Sequence, residues 1–181
     1  MTQVRPSACI EYRAHQRGFT MVELIVVIII IGILGAAAGS RFYGRNVMDG
    51  RTFADQATAL MRFGQKVAIA QNRDVWVVVA SGGIKLCFTA ACDAGNTVTA
   101  PGGSNSETDA TKKYCDNSAS WACEAAPRDI AIGSASSFYF DALGKPYATG
   151  GVPFAVPQTF NVVGGGATRT LTVEMETGYV H

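Results

Sequence analysis

From Leu24 to Ala38 the chain carries no polar side chain, and Glu23 stands at the head of that run. Few folds accept such a stretch. Read as a helix, Phe19 to Gly39 is about 31 Å long at ~1.5 Å per residue, enough to cross the hydrocarbon core of a bilayer. A carboxylate one turn inside that helix costs roughly 2–3 kcal/mol even on forgiving insertion scales, and less if it lies shallow. A chain that keeps the charge there is expected to use it. The reading of the whole chain therefore turns on what Glu23 meets.

Residues 1–18 are basic, with Arg5, Arg13 and Arg17 against Glu11. Positive charge ahead of an apolar span holds that flank in the cytoplasm and sends the rest of the chain across. Two ordinary readings compete for the segment. Ala36-Ala37-Ala38-Gly39-Ser40 offers the small residues of a secretory cleavage site, and without cleavage the run would be a plain signal anchor. Neither gives Glu23 a role.

The run Arg17-Gly18-Phe19-Thr20-Met21-Val22-Glu23-Leu24 resembles the type III leader of type IV pilins and type II secretion pseudopilins. The resemblance implies that a prepilin peptidase removes residues 1–18 by cutting between Gly18 and Phe19, then methylates Phe19 as the new N-terminus. It also makes Glu23 the family's fifth-position glutamate. Elementary electrostatics agrees. Cleavage creates an α-amino group at Phe19, and in a low-dielectric setting ammonium and carboxylate attract far more strongly than in water. If the amine of an incoming subunit meets Glu23 of a neighbour, both desolvation costs fall and one axial stagger is selected. Glu23 is then the assembly residue.

The same cut changes the composition. Taking three basic residues and one acid from the chain's 15 Lys+Arg and 14 Asp+Glu leaves 12 against 13, a net charge of −1. Net charge then gives no support for nonspecific binding to nucleic acid or anionic membrane. Of the five cysteines, Cys9 leaves with the leader; it lacks the preceding apolar region a lipidation signal needs. Cys87, Cys92, Cys115 and Cys123 remain, an even set facing an oxidising compartment. Four cysteines allow three pairings, and the sequence does not choose among them. Short loops favour Cys87–Cys92 with Cys115–Cys123. Zinc is the competing use, but spacings of four and seven residues do not match close-set ligand pairs.

Past the apolar run, Gly35, Gly39, Gly44 and Gly50 interrupt the pattern and are expected to bend or locally melt the helix, or to allow close helix packing. Phe53, Ala57, Leu60, Gly64, Val67 and Gln71 then form one helical stripe, widened by Met61 and Ala68, with Arg51, Asp55, Arg62 and Lys66 largely on the other faces. Gln71-Asn72-Arg73-Asp74 ends it. Val75–Val79 and Ile84–Thr89 flank Ser81-Gly82-Gly83 as a hairpin. Residues 90–127 hold no sustained period, so this long loop is expected to be stapled by the cysteines or to be functional. Inside it, Trp121 is expected to cover a disulfide, or else to be an exposed anchor for a partner. Strand signals resume at Ile130–Ile132 and Phe138–Phe140, followed by a turn at Asp141–Pro146. Phe160–Val163 and Thr170–Glu174 make a second hairpin around Gly164-Gly165-Gly166, and Gly178–His181 closes the chain.

Ala68-Ile69-Ala70-Gln71-Asn72-Arg73, the valine strand after it, Phe140-Asp141-Ala142-Leu143-Gly144, Thr170-Leu171-Thr172-Val173 and Thr177-Gly178-Tyr179-Val180 are similar, in this order, to the GspH/FimT/MshC-like minor pilins and pseudopilins. That likeness implies an α+β pilin fold, in which a long N-terminal helix packs on a mainly antiparallel β head. The expected layout is a leader at 1–18, a transmembrane and filament-core helix at 19–39, an amphipathic helix at 40–74, and a β-rich head at 75–181 holding the loop 90–127.

Other chemistry finds little support. His181 is the one histidine after the leader, and a terminal place suggests disorder or incidental position. A Ser–His arrangement would have to recruit it. Glu174 and Glu176 read as like charges on a solvated strand edge. Gly164–Gly166 lacks the Lys and Ser/Thr of a phosphate loop, and Asp93 with Asp109 does not make a calcium loop. No enzyme, cofactor or metal is expected. DNA-uptake members of the resembled family carry closely spaced arginines after a C-terminal glycine, whereas here Gly178-Tyr179-Val180-His181 has none. Lys112, Lys113, Lys145 and Arg169 are scattered, with Lys145 and Arg169 the tentative DNA contacts. The expected function is a minor pilin or pseudopilin. Its expected partners are the prepilin peptidase, other pilin subunits, the inner membrane and, indirectly, a cytoplasmic assembly ATPase. A DNA-binding minor pilin is the alternative.

Overall fold

Thr20 starts the long helix. Its hydroxyl oxygen accepts the Glu23 N–H at 3.2 Å and its carbonyl accepts the Leu24 N–H at 3.2 Å, the arrangement of a helix N-cap. In the computed structural model, which describes residues 19–133 and 136–181 (side chains of 37–45 excepted), this helix α1 runs Met21–Gln71. Helical backbone continues through Gly35, Gly39, Gly44 and Gly50, so the expected local melting is not found. Propensity alone makes glycine costly in a helix by only about 1 kcal/mol, which neighbouring turns override. The expected leader, with Gly18 and Cys9, lies outside the described residues.

The helix ends as its sequence suggests. Asn72 adopts φ 49°, the Asn72 N–H donates to Ile69 O at 3.3 Å, and the Arg73 N–H donates to Ala68 O at 3.2 Å. These two bonds form a Schellman motif with asparagine in the left-handed position.

The chain divides into two compact units, Met1–Ser40 and Arg41–His181. In the second, the helical stripe is buried at Phe53, Ala54, Ala57, Leu60, Met61, Val67 and Ala68. Gly64 belongs to it because a Cβ there would stand 3.1 Å from the Leu86 side chain. Gln71 is exposed, contrary to its place in the expected stripe: it is the last residue of the helix, next to the cap at Asn72.

Against this stripe lie strands whose apolar residues alternate with period two. β1 (Val75–Ala80) buries Val75, Val77 and Val79. It pairs antiparallel with β2 (Gly83–Cys87) across a two-residue turn at Ser81-Gly82, so β2 begins at Gly83 and ends before the expected Thr89. α2 (Asp109–Tyr114) and β3 (Cys123–Ala125) follow, then β4 (Ile130–Gly133), β5 (Phe138–Phe140), β6 (Pro146–Ala148), β7 (Gln158–Gly164) and β8 (Ala167–Val173). One sheet has the order β3-β2-β1-β5-β6, the other β4-β7-β8, and all paired strands are antiparallel. The architecture is α+β: a helix packed on an antiparallel head. Phe53, Phe138, Phe140 and Phe160 fill the core, with Phe138 and Phe160 stacked at 5.7 Å between centroids.

The stretch expected as an unpatterned loop, 90–127, is organised. It contributes α2, pairs β3 to β2, and forms bridges between Cys87 and Thr97 and between Thr99 and Trp121. Its order rests on polar contacts that periodicity does not reveal. Glu124, 8% exposed, accepts the Ser106 N–H at 2.7 Å, the Ser106 hydroxyl, and the Thr111 hydroxyl at 3.1 Å. Three donors offset the cost of burying that carboxylate. Trp121 packs with Cys87, Cys115 and Cys123 and donates its Nε1–H to Leu86 O at 2.8 Å. It is the disulfide-covering residue and not an exposed anchor.

Tyr114 is the weak point of this loop. Its hydroxyl is buried without a hydrogen-bond partner among the described residues, and burial pushes its pKa up to about 12 from 10.0. The fold favours the neutral phenol, so this group's contribution is complete below pH 10 and is lost as pH rises towards 12. Tyr114→Phe should remove that alkaline loss. Because an unsatisfied buried hydroxyl costs about 1–3 kcal/mol, the variant should also be more stable at neutral pH by about 1 kcal/mol. Thermal unfolding at pH 7 and at pH 11 checks both.

Candidate assembly helix and head surface

The first candidate element is the start of α1. Phe19 is 77% exposed, and every large apolar residue from Met21 to Leu34 is exposed, between 41% at Val27 and 78% at Met21. A helix that is apolar all round belongs in lipid or among other helices, not in water. Among the described residues, no helix is long and apolar enough to cross a membrane. Met21–Ala36, where side chains are described, spans about 24 Å at ~1.5 Å per residue, short of a ~30 Å hydrocarbon core. The rest of the expected span, to Gly39, falls where side chains are not described.

Glu23 lies in the first turn of this helix, four residues after Phe19. A negative charge there is favoured by the helix dipole by about 0.3–1 kcal/mol. Its backbone N–H is held by Thr20, which leaves the carboxylate unengaged by that cap.

In the head, Cys87 is bonded to Cys92 and Cys115 to Cys123, with Cα–Cα distances of 5.2 and 6.0 Å. Among the described residues, no group of three or more His, Cys, Asp or Glu could hold a metal ion.

The two tentative DNA contacts are not brought together. Lys145 Nζ is 2.8 Å from Glu176 Oε2, and that hydrogen bond is the main cause of its raised pKa. Arg169 instead lines a cleft of about 410 Å³ with Asp55, Thr58, Arg62, Thr170, Leu171 and His181, and Lys145 takes no part in it. Glu174 and Glu176 are not paired like charges on a strand, since β8 ends at Val173. Each has its own partner, Glu174 the His181 Nε2 at 3.0 Å and Glu176 the Lys145 ammonium. His181 is neither disordered nor incidental. It exchanges both backbone hydrogen bonds with Thr172, at 2.7 and 2.9 Å, so local strand pairing fixes it.

Two polar residues of α1, named only for the exposed faces or not at all by the sequence pattern, organise this end of the head. The Gln65 amide donates to Gly144 O at 2.9 Å and to Thr177 O at 2.6 Å. Arg62 Nε–H donates to Val180 O at 2.8 Å, and its guanidinium stands 5.5 Å from the Tyr179 ring centre. The segments 140–144 and 177–180, separately noticed in the sequence, thus meet at one helix face. Long-range backbone contacts of this kind leave no periodic signal.

The Prokaryotic N-terminal methylation motif matches residues 13–39, a span that includes Gly18, Phe19 and Glu23. Two crystal structures of the type IV minor pilin FimU from Pseudomonas aeruginosa are similar at low level. One is 13% identical with TM-score 0.46, covering 72% of this chain and 90% of that one; the other is 14% identical with TM-score 0.47, covering 72% and 85%. The comparison with curated proteins gave no match. What this chain shares with known proteins is thus the methylation motif over its residues 13–39.

Proposed function

We propose that the chain is a minor pilin or pseudopilin, a structural subunit of a type IV pilus or a type II secretion pseudopilus, acting at filament initiation or at the tip. The methylation motif over residues 13–39 carries this reading. In it, a prepilin peptidase removes residues 1–18 and methylates Phe19. The apolar helix from Phe19 to Gly39 holds the precursor in the bacterial inner membrane, with the head in the periplasm. Assembly machinery driven by a cytoplasmic ATPase then transfers that helix from lipid into a core of neighbouring pilin helices. Exposure of every apolar side chain from Met21 to Leu34 supports the transfer, because both environments bury the same surface.

In this reading the labour is divided along the chain. Residues 19–39 supply anchorage and, through Glu23 and the Phe19 amine, register; residues 40–74 carry the head, and residues 75–181 present its surface. Nothing in this role calls for a cofactor. The alternative, a DNA-binding minor pilin, needs a clustered basic surface. It is weakened because Lys145 is taken by Glu176 and stands apart from Arg169.

Deletion of the gene, scored together for pili, protein secretion and DNA uptake, tests the reading. Loss of pili places the subunit in a pilus. Intact pili with exoproteins stranded in the periplasm place it in a pseudopilus. Loss of DNA uptake with normal filaments and secretion would overturn the structural role. Mass spectrometry of the mature chain should find an N-terminal Phe19 bearing one methyl group; an intact leader or cleavage near Ser40 would contradict the proposal.

A further inference from the structure

Two cavities lie between α1 and the stretch 100–127, and Glu124 lines both. The first, of about 330 Å³, is bounded by Ala59, Leu60, Pro101 and Ala122. The second, of about 360 Å³, is bounded by Asp49, Phe53, Ala110, Ala125 and Pro127. Gln56 and Ser106 also line both, so the cavities adjoin at the Glu124 carboxylate. Alanine and proline walls over Phe53 leave room for a narrow apolar chain.

The charge in these walls is one-sided. Asp49 and Glu124 are both acids, and no Lys, Arg or His belongs to either lining. Lys112 and Lys113, next in sequence to Thr111, are exposed and line neither cavity. The ion pairs among the described residues are Lys145–Glu176 and His181–Glu174, so no described cation stands within ion-pair distance of Glu124. Its three donors, the Ser106 N–H, the Ser106 hydroxyl and the Thr111 hydroxyl, carry no charge. Neutral donors solvate a carboxylate without neutralising it, and a charge only 8% exposed is costly without a counter-ion. Oε1 accepts the Ser106 N–H alone among the described donors, which leaves it a second acceptor position.

We propose that the second cavity binds a primary alkylammonium group, its nitrogen at Glu124 and its methylene chain along Phe53, Ala110, Ala125 and Pro127. The nitrogen donates to Glu124 Oε1 and supplies the missing positive charge. Asp49 selects this cavity over its neighbour, because a second carboxylate lines it and none lines the other beyond Glu124. The apolar walls account for the chain, since the stem of such a cation is buried while its head is paired. A metal ion fits less well. Among the described residues no group of three or more His, Cys, Asp or Glu could hold one, and alanine and proline walls offer it no side-chain oxygen. Phosphates and other anions are repelled by both acids. A free amine and a lysine side chain of a partner protein share this chemistry. The site does not depend on which filament the chain joins.

The test is calorimetric titration of the full chain in a neutral detergent. n-Pentylamine should bind about ten-fold or more tighter than n-pentanol, its uncharged counterpart, and pentanoate should not bind. From propylamine to pentylamine the affinity should rise about three-fold per methylene, which attraction to a surface charge does not produce. Ala110→Phe, an exposed position of α2, fills the second cavity and should abolish binding, whereas Ala59→Phe narrows only the first and should bind as the native chain does. Glu124→Gln should bind about ten-fold more weakly; because Glu124 also orders its loop, the ligand series and the two alanine variants decide the matter without it. A lysine flanked by glycines in a blocked peptide separates the sources. Tighter binding of the peptide than of pentylamine assigns the site to a partner's lysine, and equal or weaker binding assigns it to a small amine. No binding at millimolar amine, equal affinity for pentanol, or loss in Ala59→Phe but not in Ala110→Phe would overturn the proposal.

Discussion

Glu23→Val should insert in the membrane at least as well as the native chain, yet enter filaments roughly one hundred-fold less. Insertion should gain because the carboxylate costs roughly 2–3 kcal/mol at depth. In the proposed register assembly should suffer, because the Phe19 ammonium of the adjoining subunit would be left buried without a partner, at about 3–5 kcal/mol. The competing explanation is a helix-start effect. Thr20 caps the Glu23 backbone N–H, and that bond survives in valine. What valine loses at the helix end is the dipole interaction, worth about 0.3–1 kcal/mol, too little for the expected defect. Glu23→Gln separates the two further, since it keeps the length and removes the charge; it should be impaired nearly as severely. Membrane flotation measures insertion, and immunodetection in sheared filaments measures incorporation. Normal incorporation of either variant would refute the register role.

How far the sequence could be read depended on whether a feature was local or periodic. The amphipathic half of α1 was legible because Phe53, Ala57, Leu60 and Val67 recur at helical spacing, and its end because Asn72 tolerates the left-handed backbone of the cap. The hairpins at 75–87 and 158–173 were legible from alternation around glycines. The stretch 90–127 was not. Its strand β3 is three residues long and its organising contacts radiate from Glu124, a residue no pattern distinguishes from a surface acid. The role of Arg62 and Gln65 was hidden for a related reason. Both sit on the flank of the stripe, where sequence reads only solvent, and both bind backbone carbonyls more than seventy residues away. As for the candidate sites, Glu23 was conspicuous because it breaks an apolar run, whereas the pairing of His181 with Thr172 became visible only in the fold.

Gly178→Ala should destabilise the head by about 3 kcal/mol or more, among the largest effects of any single methyl group in this chain. Gly178 adopts φ 64°, which costs an alanine roughly 1–2 kcal/mol. The added Cβ would also collide with the Gly144 carbonyl oxygen, stand 2.6 Å from Gln65 Nε2 and 2.9 Å from Phe140 Cε1. The Gln65 amide can swing away, but only by giving up its bonds to Gly144 O and Thr177 O, each worth about 1 kcal/mol. The Gly144 carbonyl belongs to a turn pinned by Asp141, whose Oδ1 accepts the Leu143 and Lys145 N–H groups at 2.9 Å each, so it moves less easily. Gly178→Asn relieves the backbone cost and keeps the clash; it should recover no more than about 1 kcal/mol of the loss. Combining Gly178→Ala with Gln65→Ala distinguishes the two obstacles. If the amide is the main one, the double variant loses less than the sum of the singles; if the carbonyl is, the losses add. Denaturant unfolding of the full chain in detergent, with disulfides intact, provides the measurement. A change below 1 kcal/mol for Gly178→Ala would mean that the closing segment is free to shift and does not hold the helix face, the turn and the end of β8 together.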